Sequence, residues 1–300
     1  MAKESCLITG GAGFIGSNLV DELIYQGYEV AIVDDFSTGN KKNLNSQAKL
    51  FKGTITNLKW LQQVFNDFKP DFVFHTAALA RVPRSVEDPT GTFKVNVDGT
   101  LNVFEAARNA KAKRVIYSSS SSVYGDQKKL PLIEDMEANP LNPYAMQKYI
   151  GELIAGNYAH VFGLDNVCLR YFNVYGPRQV MEGAYRLVIG IFIDQKKRGE
   201  KLSIFGDGKQ TRDFTHVSDV IQANILAMKY PQKLDGRPFN IGFGQEVSVN
   251  KIAKLIGGEV THLPPRPFEE KRKEADNSAA QKILKWKPKI DIETGIKQLL

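Results

Sequence analysis

Gly10, Gly13 and Gly16 stand at a G-x-x-G-x-x-G spacing within LITGGAGFIGS. The apolar run SCLITG leads into them, and a helical pattern follows from Phe14 to Gln26, with Ile15, Leu19 and Leu23 on one face. A strand that enters a glycine turn and opens a helix lets backbone approach a pyrophosphate closely, and the first helical N–H groups, near Phe14 and Ile15, can bind it. A glycine triplet alone also fits a turn with no ligand. Asp34 changes the balance: it ends the next apolar run, EVAIVDD, 18 residues beyond Gly16. A carboxylate there accepts the hydroxyls of an adenosine ribose and repels a 2′-phosphate, and Asp35 adds to the repulsion. Strand, loop and acid together predict a dinucleotide site that favours NAD over NADP.

The alternation continues. DFVFHTAA, RVIYSSS and NVCLRYFN read as strands, and Asn57 to Phe68, Val95 to Arg108 and Pro143 to Phe162 as helices. Runs such as AIV and FVF suit strands buried on both faces. The pattern predicts an α/β fold, a doubly wound parallel sheet of the Rossmann type. After about Asn173 the connections lengthen and carry Gly and Pro, as in VYGPRQVMEGAY and THLPPRPFEEKR. Residues 1–173 are therefore expected to form the NAD-binding domain. Residues 174–300 are expected to form mainly a smaller α/β substrate-binding region, with a return to the first domain around 202–229.

The net charge is +7, but Lys and Arg are spread along the chain and EEKRKE carries its own acids. With no nucleic-acid-binding pattern, the charge suits a small anionic ligand better than nucleic acid. No run of 18 apolar residues suggests a membrane span, and no secretory signal precedes the first strand. Cys6 and Cys168 both lie in strand-like runs, which predicts a reducing, cytoplasmic setting. Four scattered histidines and two cysteines give no metal-ligand spacing, so no metal is expected.

Two further motifs carry chemistry. SSSSSVYG, from Ser118 to Gly125, follows a strand. NPYAMQKYIGE sets Tyr144 and Lys148 four apart at a helix start, on one face. A free tyrosine titrates at about 10, and a nearby ammonium and a cationic nicotinamide favour its phenolate, which makes a usable general acid/base. The same pair also fits an ordinary amphipathic surface.

These pieces, in order, resemble the extended short-chain dehydrogenase/reductases, and among them the nucleotide-sugar epimerases. TGGAGFIGS, SSSSSVYG, NPYAMQK, LRYFNVYGPRQ, FGDGKQTRDFTHVSDV and AAQKILKWKP carry the likeness over nearly the whole chain. ARVPRSVEDP and GAYRLVI look most like the branch acting on UDP-N-acetylglucosamine as well as UDP-glucose. The resemblance implies a UDP-sugar 4-epimerase that uses NAD to remove and return a hydride through a 4-keto sugar. Ser120 and Tyr144 would share the sugar's 4-hydroxyl, and Lys148 would hold the nicotinamide ribose. Related dehydratases and decarboxylases carry acids where this chain has Ser121 and Ser122, so elimination and decarboxylation are not expected. A UDP-glucuronate 4-epimerase or another nucleotide-sugar modifier is the alternative, and a silent NAD-binding protein a lesser one.

The likeness also implies cofactor contacts at Thr54, Ile55, Ala77, Ala78, Asn96 and Phe172. Thr54 replaces the usual adenine-contacting acid. On the substrate side it implies Asn173, Phe205, Arg212, Arg266 and Glu269, the arginines pairing with diphosphate. Lys273 falls at the gatekeeper beside the sugar's 2-substituent. It could swing out and leave room, block an acetamide, or pair with a sugar carboxylate. A homodimer through helices near 93–108 and 143–162 is expected.

Overall fold

The protein is described from a computed structural model covering residues 3–179, 187–265 and 271–300. Seven parallel strands form the main sheet: β1 (Ser5–Thr9), β2 (Glu29–Asp34), β3 (Lys49–Lys52), β4 (Phe72–His75), β5 (Arg114–Ser120), β6 (Asn166–Tyr171) and β7 (Pro238–Ile241). Their spatial order is β7-β6-β5-β4-β1-β2-β3. The order reverses at β1, where β2 lies on one side and β4 on the other. That switch point opens a crevice at the carboxyl ends of the strands.

Five helices cover the two faces: α1 (Phe14–Tyr25), α2 (Leu58–Phe68), α3 (Gly99–Asn109), α4 (Pro143–Phe162) and α5 (Val217–Lys229). On one face Leu19, Val20 and Leu23 of α1 and Val220 and Ile225 of α5 pack on Ile8, Ile32 and Phe74. On the other, Leu61 and Val64 of α2, Val103 and Phe104 of α3 and Ala155 and Tyr158 of α4 pack on Leu7, Val73 and Val115. Alternate residues of each strand thus meet opposite helical layers, and both faces are dry. This is the doubly wound α/β sheet expected above.

β3 and β7 add two strands to those read from the sequence. The stretch 202–229 divides between the two halves. Helix α5 belongs to the large sheet's core, whereas strand Leu202–Phe205 pairs with Val260–Leu263 outside it. A smaller core gathers Phe192, Ile193, Leu202, Ile204, Ile252 and Ile296. It stands beside the carboxyl-edge crevice, linked to the sheet through Asn173 and Asp213, whose backbone oxygen accepts from Asn173 Nδ2 at 3.0 Å. No described helix is long and apolar enough to cross a membrane, and no metal-ligand cluster occurs among the described residues.

Candidate active site

The glycine turn is shaped by close approach. Gly10 has φ +74°, and a Cβ there would lie 2.7 Å from the Ala77 nitrogen. A Cβ on Gly16 would lie 2.2 Å from the Gly10 oxygen. Larger residues would therefore push the first turn of α1 away from β1 and β4. Gly13 is the N-cap of α1 and supplies no side-chain cap, which leaves first-turn N–H groups, beside Phe14 and Ile15, for an anion. Asp34 is buried at the end of β2. Its Oδ2 accepts the Ala12 N–H at 2.9 Å and its Oδ1 the Phe36 N–H at 2.8 Å. Burial pushes this carboxyl above its usual range while the two amides pull it down. Each oxygen keeps a lone pair for a ribose hydroxyl. The glycine cradle and this acceptor fit the dinucleotide expected above.

Thr54 forms a local turn instead of projecting a charge. Its hydroxyl shares a hydrogen bond with the Thr56 hydroxyl at 3.1 Å, and Ile55 beside it is buried. Ala77 and Ala78 follow β4 and are half-buried. Two of the expected cofactor contacts, Phe172 and Asn96, are buried. Phe172 is fully buried among Val123, Tyr124, Leu132 and Ala275, so its ring offers no surface to a ligand. The Asn96 side chain is also buried: Oδ1 accepts the Leu79 N–H at 2.8 Å, and Nδ2 donates to Gln147 Oε1 at 2.7 Å.

The serine run divides its tasks. The Ser118 oxygen accepts from Lys148 Nζ at 2.7 Å, while its hydroxyl meets the Tyr171 hydroxyl at 3.1 Å. The Ser119 hydroxyl donates to Glu152 Oε1 at 2.5 Å. Strand β5 ends at Ser120, whose Oγ accepts from the Ser122 N–H at 3.2 Å and the Ser122 hydroxyl at 2.9 Å. Ser120 is thus oriented from behind, at the carboxyl edge of the sheet.

Helix α4 brings Tyr144 and Lys148 to the same place. Asn142 caps it by accepting the Ala145 N–H at 2.9 Å, and Pro143 fills the first position. Tyr144 is half-buried and stands close enough to Ser120 for that hydroxyl to act on its phenol. Burial raises its pKa, and Ser120 and then Arg81 lower it. Lys148 is buried, points its ammonium at the Ser118 carbonyl and sits 5.0 Å over the Tyr117 ring. Burial lowers its pKa to about 8, opposed by Glu152 one turn on. Among the described side chains, Arg81 is a cation that favours the phenolate, beside the Lys148 ammonium and nicotinamide expected above.

On the opposite wall, Asn173 has φ +28° and spends its amide on the Asp213 carbonyl. Arg212 lies half-buried on strand Thr211–Asp213, with Nη1 donating to the Thr211 oxygen at 2.8 Å. Phe205 ends strand Leu202–Phe205, half-buried. Lys273 is only 4% exposed. Arg266 and Glu269 lie outside the described residues.

Sequence reasoning missed Arg81, Ser85 and Asp213. Buried Ser85 accepts the Tyr144 N–H at 3.1 Å, and its own N–H bonds to the Arg81 carbonyl at 3.0 Å, which links the Arg81 loop to α4. Asp213 is fully buried and accepts the N–H groups of Phe243, Gly244 and Ala275 at 2.7, 2.9 and 3.0 Å. The fragment ARVPRS held Arg81 and Ser85, but nothing local ties them to a tyrosine some 60 positions away.

The chain belongs to the NAD dependent epimerase/dehydratase family, which it matches over residues 6–242. Three solved structures define its neighbourhood. The UDP-glucose 4-epimerase of Thermotoga maritima, determined with UDP-glucose, is 38% identical, covers 98% of this chain and 96% of its own, and superposes with a TM-score of 0.95. A UDP-N-acetylglucosamine 4-epimerase from Methanobrevibacter ruminantium, in complex with UDP-N-acetylmuramic acid, is 36% identical over 100% and 99%, with a TM-score of 0.92. The UDP-glucuronic acid 4-epimerase of Bacillus cereus, with UDP-glucuronic acid and NAD, is 32% identical over 98% and 97%, with a TM-score of 0.89. The protein is accordingly an NAD-dependent enzyme of this family.

Proposed function

We propose that the protein is a UDP-sugar 4-epimerase that interconverts gluco and galacto configurations of UDP-N-acetylglucosamine, UDP-glucose or both. The observation that carries the reading is the Ser120–Tyr144 hydroxyl pair at the sheet's carboxyl edge, followed by Ser121 and Ser122 instead of acids. Bound NAD supplies the acceptor and donor of a hydride at sugar carbon 4. Tyr144 takes the 4-hydroxyl proton and later returns it, while Ser120 holds that oxygen in line. Lys148 meets the nicotinamide ribose. With no carboxylic acid at 121 or 122, no residue there moves the extra proton that elimination requires. Asn173 and Arg212, with Arg266 and Glu269, would anchor the UDP while the keto sugar turns over.

A second reading is favoured by Arg81. Its half-buried guanidinium acts on Tyr144 and forms no ion pair with any described carboxylate. An unpaired, partly desolvated guanidinium suits a sugar carboxylate, as UDP-glucuronate carries.

Product analysis separates the two. UDP-N-acetylglucosamine, UDP-glucose and UDP-glucuronate are incubated separately, with and without added NAD, and products are read by proton NMR. The expected result is a galacto epimer from either neutral sugar, without added NAD and with no dehydrated or decarboxylated product. Turnover of UDP-glucuronate alone replaces the first reading with the second. No turnover with NAD bound withdraws both.

We also propose a homodimer through α3 and α4. Leu101 on α3 and Leu153, Val161 and Phe162 on α4 are exposed apolar residues on the helices named above. Leu153→Glu is expected to shift the sedimenting species to monomer. An unchanged dimer mass would place the contact elsewhere.

A further inference from the structure

One buried residue with an unusual set of partners lies outside the proposed chemistry. His75 ends β4 and is 1% exposed. Both ring nitrogens are engaged. Nδ1 lies 2.7 Å from the Thr9 hydroxyl at the end of β1, and Nε2 lies 2.9 Å from the Thr100 hydroxyl on α3.

The hydrogens of these contacts can be assigned from their neighbours. The Thr100 hydroxyl lies 2.6 Å from the Asn96 carbonyl, which can only accept, so the Thr100 proton is committed there. His75 Nε2 must then carry the hydrogen that faces Thr100. Burial, with the Lys148 charge adding, lowers the ring's pKa to about 3, so the ring is neutral and Nδ1 is an acceptor. The Thr9 hydroxyl donates to it, and itself accepts the Ala77 N–H at 3.4 Å. One directed chain results: Ala77 N–H to Thr9, Thr9 to His75, His75 to Thr100, Thr100 to the Asn96 carbonyl.

Asn96 extends the connection. It lies in a π-helical turn, Lys94–Asp98, that leads into α3. Its side chain donates to Gln147 Oε1 at 2.7 Å, and Gln147 Nε2 donates to the Thr92 hydroxyl at 3.0 Å. Gln147 stands on α4 between Tyr144 and Lys148. Thr9, His75, Asn96, Thr100, Gln147 and Thr92 are each 0 or 1% exposed. A dry polar chain of this length is costly unless every member is satisfied, and once satisfied it admits few alternative arrangements.

We infer that His75, as its neutral Nε2–H tautomer, is a positioning residue. It locks β1, which delivers the glycine turn, to the Asn96–Gln147 bridge that holds α4, and so keeps the cofactor cradle in register with Tyr144. The inference rests on Tyr144 being the reacting group, but two of its readouts do not involve turnover. A π-helical turn at this junction agrees with the frequent use of such turns at functional sites. A purely apolar packing at the same point would hold the elements together without fixing their relative orientation.

The test uses the whole enzyme as purified. Nitrogen-15 NMR of the histidine side chains, with His75→Gln to assign the signal, should show an Nε2–H imidazole that does not titrate from pH 8 to pH 5. A midpoint near the ordinary value of about 6.5, or an Nδ1–H form, overturns the inference. Thr100→Val removes the hydroxyl at nearly constant shape, and Thr100→Ser keeps it. The Val variant should copurify with at most half the wild-type NAD, and kcat should fall about tenfold with KM for the UDP-sugar within about twofold. The Ser variant should recover both. Wild-type NAD content and kcat in Thr100→Val, or equal losses in both variants, would refute a role for the hydroxyl. Should Thr100→Val not fold, Thr9→Val against Thr9→Ser asks the same question at the other ring nitrogen.

Discussion

Tyr144→Phe is expected to lower kcat by about 10³–10⁴-fold, in the upper range for a positioned acid/base, while bound NAD is retained. The substitution removes one oxygen. The ring keeps its place, because α4 is fixed by its Asn142 cap and by the Tyr144 N–H on Ser85. In the mechanism proposed above, what is lost is the group that takes the 4-hydroxyl proton. Ser120 cannot replace it, since its hydroxyl is held by Ser122 and no strong base lies behind it. Initial-rate measurement with any substrate that turns over gives kcat, and the absorbance of denatured protein gives the NAD content. A loss smaller than about tenfold would assign proton transfer elsewhere.

The second large effect concerns stability. Glu152→Leu should lower the unfolding free energy by about 3–5 kcal/mol, the cost of stranding one member of a buried ion pair. Glu152 accepts from Arg170 Nε at 2.9 Å, from Arg170 Nη2 at 2.7 Å and from the Ser119 hydroxyl at 2.5 Å. Its removal leaves a buried guanidinium with the Glu134 carbonyl at 3.1 Å and the Tyr124 ring 4.7 Å away, but no carboxylate in salt-bridge contact among the described residues. Glu152→Leu combined with Arg170→Leu should recover much of the loss, because neither charge is then stranded. Urea denaturation of the three variants measures this. If the double variant is as unstable as Glu152→Leu, packing and not charge explains the cost. A pH effect accompanies it. Burial lowers the Lys148 pKa to about 8, and Glu152 works against that shift. Without Glu152 the pKa falls further, so the ammonium is lost at a lower pH. Where activity needs charged Lys148, the alkaline limb of the rate profile moves toward acid.

Much of the architecture was legible because its requirements are local. A glycine turn between strand and helix, buried strands of continuous apolar residues and a helix capped by Asn-Pro each declare themselves within a dozen positions. β3 and β7 did not. KLFK is a largely exposed edge strand of four residues, with its two apolar residues adjacent and no alternation to mark it. PFNI is four residues long and carries Asn240, whose amide is spent on the Leu132 and Asp276 carbonyls. The site divides along the same line. Glycines, Asp34, Ser120, Tyr144 and Lys148 sit in recognisable strings. Arg81 and Glu152 act across long separations, Ser119 meeting Glu152 33 positions on, and no local pattern encodes that. Phe172 lies within a recognisable string, and its ring packs in the core.

The placement of β7 and α5 bears on how the chain is made. The outermost strand of the large sheet and one of its covering helices come from residues 217–241, far beyond the segment that builds the other six strands. During synthesis the nascent sheet would wait with β6 as an open edge and with Leu169 and Tyr171 uncovered, until Ile241 has left the ribosome. Such long-range closure raises contact order and slows folding. An unpaired edge is also a template for wrong partners. The large sheet therefore matures only after much of the chain beyond β6 has been translated, and a cut after β6 is a poor choice for separate expression.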